Sequence, residues 1–206
     1  MGSGAPANPR SPMTIEEWAA LDEDVGGEFV DGYLEAEEMP SFLHGLVLGW
    51  LLANLRHWAR RRGGFVAGSN AKYAVSPTIG RKPDAAVYLD GRKPSPASVG
   101  NPELIREPPD LVFEIVSHNP RDARRDRIHK LHEYAAFGIK LYGLIDPALR
   151  SLEVFELGGD GRYVRAVGAS EGCVSDIPGC GQLLLDLDEL WREVDDLLAA
   201  GSDSTG

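Results

Sequence analysis

The sequence has 206 residues, 43% hydrophobic and 26% charged, the proportions of a globular domain with a sizeable core. Its 32 acidic residues against 21 basic ones leave a net charge of −11, which argues against a sequence-independent DNA coat but not against an enzyme whose basic residues are gathered locally. No apolar run reaches the roughly 18–20 residues needed to cross a membrane, and the opening MGSGAPANPRSP lacks the basic-then-apolar order of a signal peptide, so the cytoplasm is the expected compartment.

The Gly/Ser/Pro-rich residues 1–12 read as a disordered leader, 13–200 as one domain and 201–206 as a disordered tail. Thr14 with Glu17 three residues later forms a capping box that opens a short helix over 14–24. EFV, the turn Asp31-Gly32 and YLEAEE predict a hairpin over 27–40, with Glu37 and Glu38 in solvent. Leu43, Leu46, Val47, Trp50, Leu51, Leu55 and Trp58 recur at spacings of three and four, which predicts a helix over 42–62, stopped by Gly63-Gly64. Strands follow at 65–70, 73–76 and 83–90, then a polar, Pro-rich loop over 91–108 and an apolar strand over 110–117. A helix over 121–137 ends at Gly138. IKLYGLIDP (139–147) and SLEVFEL (151–157) predict paired strands, YVRAVGA (163–169) one more, and 185–200 a closing amphipathic helix. This is an α/β or α+β domain, a mixed β-sheet flanked by helices. The four tryptophans lie at core spacing on predicted helices. Cys173 and Cys180 lack CxxC spacing and read as reduced thiols.

Glu114 breaks the pattern of LVFEIV (111–116), otherwise the composition of a strand buried on both faces. An ionised carboxylate there costs several kcal/mol unless a cation or hydrogen bonds compensate. Alternation puts Asp84, Ala86 and Tyr88 on one face of strand 83–90, and Val112, Glu114 and Val116 on one face of strand 110–117. Each strand therefore offers one interior carboxylate. On the following helix Asp126, Lys130 and Tyr134 share a face. Two strand carboxylates and a nearby ammonium suit a hard cation such as Mg2+ or Mn2+, which takes one or two carboxylates and keeps waters for a phosphate to displace.

KPDAAVYL, PDLVFEIVS and the run from Arg125 to Pro147 (RDxxxKLxxYAxFGIxxYxLIDP), in that order, resemble the Uma2 family of endonucleases, a branch of the PD-(D/E)xK nuclease-like superfamily. The resemblance runs from about 28 to 187 and includes EFVDG (28–32) and PGCGQLLLDL (178–187). It implies a restriction endonuclease-like core, with Asp84 and Glu114 binding Mg2+ and Lys130 as the catalytic lysine assisting the attacking water. In most of the wider superfamily the lysine lies two residues after the glutamate; here that residue is Val116. The resemblance implies that the lysine has moved to the helix. Gly143 stands where the family usually has Trp, and His118-Asn119 where it usually has Pro-Ser.

Family members often carry a glutamate in the first hairpin and a histidine at the head of the first long helix, so Glu28 and His44 are accessory candidates. Glu28 otherwise reads as an edge charge, and His44, on the stripe of Leu48, Leu51 and Leu55, as a core residue. Tyr134 packs its ring on the sheet with its hydroxyl at the site margin. Arg81 and Lys82, directly before the PD strand, are candidates for phosphate contact, as is Arg124 more weakly. The basic runs RHWARRR (56–62) and RDARRDRIHK (121–130) read as solvated helix faces. The expected function is hydrolysis of DNA phosphodiester bonds by a Mg2+-dependent endonuclease, and a homodimer is the expected assembly for cutting both strands of a duplex. The alternative is a catalytically inactive nuclease-fold domain acting as a dimeric binding module through the 42–62 helix or the sheet edge at 151–169.

Overall fold

Side-chain alternation in two short strands fixes the layers. In the computed structural model, which describes residues 11–22, 25–36, 39–100 and 102–202, Ala85, Val87, Leu111, Phe113 and Ile115 face one buried cluster, and Ala86, Val112 and Val116 face another. The readings of 1–10, of Glu37 and Glu38, and of 203–206 fall outside the described residues.

The strands belong to a six-stranded sheet of order β10-β9-β8-β7-β6-β3. Its members are β3 (Phe65–Gly68), β6 (Ala85–Tyr88), β7 (Leu111–Ile115), β8 (Leu141–Asp146), β9 (Ser151–Leu157) and β10 (Tyr163–Ala169). Only β7 and β8 pair in parallel within it; the other ladders are antiparallel. A parallel pair needs a crossover, supplied by one helical passage: α3 (Pro120–Arg124), a π-helical segment (Arg125–Lys130) and α4 (Leu131–Phe137). Gly138 closes it at φ +92°, a conformation that suits glycine. This passage covers one face of the sheet, through Tyr134 against Val112 and Tyr142. α2 (Phe42–Arg60) and α5 (Leu187–Ser202) cover the other, through Val47, Leu51, Leu190 and Val194.

A second sheet, order β2-β1-β5-β4, joins β1 (Glu28–Val30), β2 (Tyr33–Glu35), β4 (Tyr73–Ser76) and β5 (Ile79–Arg81). The expected capping box is present: Thr14 caps α1 (Ile15–Ala19), whose Trp18 lies so close over Gly80 that a Cβ there would be 2.5 Å from the ring. The expected hairpin turns at Asp31 and Gly32, with φ 48° and 88°. β5 was not legible, because Pro77, Gly80 and Pro83 made its three residues read as a turn. Nor was the two-residue ladder of β11 (Cys173–Val174) with β12 (Leu185–Asp186). The expected tail also begins inside α5, which continues to Ser202. Both cysteines are free thiols, Cys173 exposed and Cys180 buried.

Gly143 pairs in register with Phe113 across the parallel ladder. A Cβ on Gly143 would lie 2.1 Å from Phe113 Cε1, so the ring occupies the space that a side chain at 143 would need. This accounts for glycine where the family resemblance leads one to expect tryptophan. Gly143→Ala should lower stability by about 1–3 kcal/mol through overpacking, with part regained by adding Phe113→Leu. Urea denaturation of the two variants measures both effects, and an unchanged midpoint for Gly143→Ala would show that the ring moves aside freely.

Candidate active site

The β6–β7 register pairs Ala86 with Val112 and Ala85 with Phe113. One step further along, Asp84 comes opposite Glu114, and Asp84 Oδ2 accepts the Ile115 N–H at 2.8 Å. Its other oxygen, Oδ1, lies 3.2 Å from His44 Nε2 at the start of α2. His44 is thus a half-buried contact of a strand carboxylate, not a residue of the core stripe.

Glu114 is 3% exposed. Its Oε1 accepts the Tyr134 hydroxyl at 2.6 Å and lies 3.0 Å from Lys130 Nζ. The Tyr134 hydroxyl is therefore on the glutamate itself and not at a margin; its ring packs edge-on to Tyr142, centroids 5.2 Å apart. Lys130 Nζ is also 3.3 Å from Asp126 Oδ1 and 3.5 Å from Glu28 Oε1. Asp84, just before β6, Glu114 of β7, His44 of α2, Lys130 of the π-helical segment and Tyr134 of α4 are thus brought together.

The helix that presents Lys130 is widened. Its π-helical turn, Arg125–Lys130, is a rare feature, frequent at functional sites. Tyr142 Oη donates to the Asp126 carbonyl in the middle of it, at 2.9 Å. Arg125, Asp126 and Lys130 are all buried, so RDARRDRIHK is not a solvated face. Arg124 alone of the three arginines 124, 125 and 127 is exposed; Arg127 is held at 2.7 Å by both Asp146 and Glu153.

Beneath the lysine lies a buried ion network. Glu28, 0% exposed, is an interior charge and not an edge one. Its Oε2 is 2.7 Å from Arg81 Nη1 and its Oε1 accepts the Lys82 N–H at 3.0 Å. Arg81 is itself 2% exposed, and its Nε and Nη2 donate to the two Glu133 oxygens at 2.7 and 2.8 Å. With all three nitrogens engaged, Arg81 is not available to a phosphate, which corrects its reading as a phosphate contact. Lys82 is half-buried and lines the cleft. Sequence reasoning missed Glu133 and read Arg125 as a phosphate contact or a solvated charge, whereas it is buried 3.6 Å from Glu28 Oε2. The one usable signal was Glu133 three residues after Lys130.

Electrostatics separates the carboxylates. Burial pushes the Glu114 carboxyl well above its ordinary range; Lys130 opposes this, while Asp84, Asp126 and Glu28 add to it. Burial likewise raises Asp126, against Lys130 and Arg125. Burial alone would raise Glu28 too, but Lys130, Arg81, Arg125 and the Lys82 amide hold it at about 2. Glu114 is therefore the carboxylate with most to gain from a further cation. The donors facing the cleft are hard carboxylate oxygens, the set that suits Mg2+ or Mn2+ better than a thiophilic metal. Among the described residues no three His, Cys, Asp or Glu side chains form a closed metal-binding cluster. A Mg2+ site completed by water and phosphate needs no such cluster. Asp84, Glu114 and Lys130 open onto a cleft of about 470 Å³, whose wall includes Leu43, Leu48 and Val116.

No helix among the described residues is long and apolar enough to cross a membrane. No curated protein matches the chain. A crystal structure described as "a putative nuclease belonging to DUF820 from Anabaena variabilis ATCC 29413" matches with a TM-score of 0.68 and 18% identity, over 88% of this chain and 98% of that one. At that identity the likeness is one of fold. The family model for Uma2, described as "Putative restriction endonuclease", matches residues 14–180, most of the length, and the chain therefore belongs to the Uma2 family.

Proposed function

We propose that this protein is a Mg2+- or Mn2+-dependent endonuclease that hydrolyses DNA phosphodiester bonds. The observation that carries this reading is that Asp84 lies opposite Glu114 in the lining of a cleft, with Lys130 Nζ 3.0 Å from the glutamate. Family membership supports the nuclease class.

Asp84 and Glu114 would hold the cation, which when bound polarises the phosphodiester and lowers the pKa of a coordinated water. Tyr134 and the Ile115 amide fix the two carboxylates from behind. Three carboxylates lie within 3.5 Å of Lys130, so it acts as a cation: it orients the attacking water and counters developing negative charge on the phosphate. His44, which lines the cleft beside Asp84, would act as a positioning residue. Lys82 and the exposed Arg124 are the remaining candidates for phosphate contact.

Titration calorimetry of the full chain with Mg2+ and Mn2+ tests the reading directly. Binding heat should appear and should be lost in Asp84→Asn and in Glu114→Gln. A folded chain that gives no heat with either ion overturns the metal-dependent reading and favours a binding module that keeps only the fold.

A further inference from the structure

Residues 39–83 contain neither Asp nor Glu, although the chain has 32 acidic residues. α2 lies wholly within that stretch and its far end carries Arg56, Arg60 and Arg61, all exposed. None of these three makes an ion pair among the described residues, whereas the neighbouring Arg62 lies 3.4 Å from Asp90 and donates to the Gly179 carbonyl at 3.2 Å. Cations at a helix C-terminus are favoured by the macrodipole. Arg56 and Arg60, however, stand four residues apart on one face and repel each other, with no carboxylate placed to offset them. A basic helix end in a stretch of sequence without carboxylates, in an otherwise acidic chain, complements a polyanion.

The position of the cluster relative to the cleft is set by the helix. His44 touches Asp84 at 3.2 Å, and Arg60 lies sixteen residues further along the same helix (44 to 60), about 24 Å at roughly 1.5 Å per residue. The exposed positions between His44 and Arg56 are Gly45, Gly49 and Ala53, so no charged side chain stands on the helix surface between the cleft and the cluster.

We propose that Arg56, Arg60 and Arg61 form a phosphate-binding exosite that grips the DNA substrate about seven base pairs from the cleavage centre, at roughly 3.4 Å per base pair. The proposal rests on the DNA-cleaving reading above and adds a length requirement to it. Short duplexes reach only the cleft; longer ones reach both contacts.

Fluorescence anisotropy of the full chain with labelled duplexes of about 30 and about 6 base pairs tests this, using Arg56→Gln/Arg60→Gln/Arg61→Gln beside the wild type. Glutamine keeps helix propensity at exposed positions. The variant should bind the long duplex about tenfold or more weakly, and its log K against log salt slope should be shallower by about 2.7, or roughly 0.9 for each of three lost phosphate contacts. The short duplex should be bound equally by both proteins. Equal losses at both lengths, no loss at either, or a wild type that does not bind the long duplex would each overturn the exosite. So would a variant that loses self-association in sedimentation with unchanged duplex affinity, because the face would then belong to a second copy of the chain. A wild type that binds the long duplex through these arginines yet cuts no DNA rejects the nuclease reading alone.

Discussion

Replacing Asp84 or Glu114 with alanine is expected to lower Mg2+-dependent nicking of a supercoiled plasmid by about a thousandfold or more. Lewis-acid stabilisation of a phosphoryl transition state is worth several kcal/mol, and each 1.4 kcal/mol or so is about tenfold in rate. The two carboxylates stand opposite each other across antiparallel strands, so neither substitutes for the other. Glu114→Ala also removes the acceptor of the Tyr134 hydroxyl and an ion-pair partner of Lys130, so circular dichroism of the purified variant must show an intact fold for its inactivity to count. Glu114→Gln preserves an acceptor for the Tyr134 hydroxyl and should be equally inactive while folding as the wild type does. Nicking that survives in purified Asp84→Ala and Glu114→Ala alike would remove the assignment.

Arg81→Met should have the largest effect on stability, a loss of about 3–5 kcal/mol, because it leaves Glu28 and Glu133 without the guanidinium that joins them. For a domain of this size that corresponds to a melting point lower by roughly 6–20 °C. The network also predicts a pH signature. Glu28 is held at about 2, below its ordinary value of 4.5, so its contribution to stability is complete above pH 4.5 and is lost as pH falls towards 2. Calorimetric melting across that window should show a steeper acid loss in the wild type than in Arg81→Met, where the carboxyl of Glu28 is less depressed. Equal slopes would mean that Lys130 and Arg125 hold Glu28 without help.

Much of this arrangement is local in origin and so can be read from sequence. The Thr14–Glu17 cap, the Asp31-Gly32 turn and the Gly138 stop each depend on residues within a few positions. The two faces of β6 and β7 follow from alternation, and alternation alone points Asp84 and Glu114 the same way. What escaped is non-local. Arg81 meets Glu28 and Glu133, 53 and 52 residues away, so a cation beside the PD strand looked free for phosphate. Arg125 and Asp126 sit in a run whose composition belongs to a solvated face, and only the packing of the widened helix takes them inside. His44 lies on a leucine stripe that marks a core, yet it occupies the first turn of α2, where the helix emerges beside the end of the sheet.

That widened turn has a consequence for how the chain can vary. A strand that bears glutamate and lysine two residues apart points both the same way by its pleat alone. A lysine carried on a helix has no such guarantee, since each residue gained or lost rotates everything beyond it by about 100°. Ile128 and His129 are both exposed within the turn. Exchanging them for other residues leaves the cleft as it is, whereas deleting either would swing Arg125 and Asp126 out of phase with Lys130 and Tyr134. In that segment the constrained property is the number of residues, not their identity.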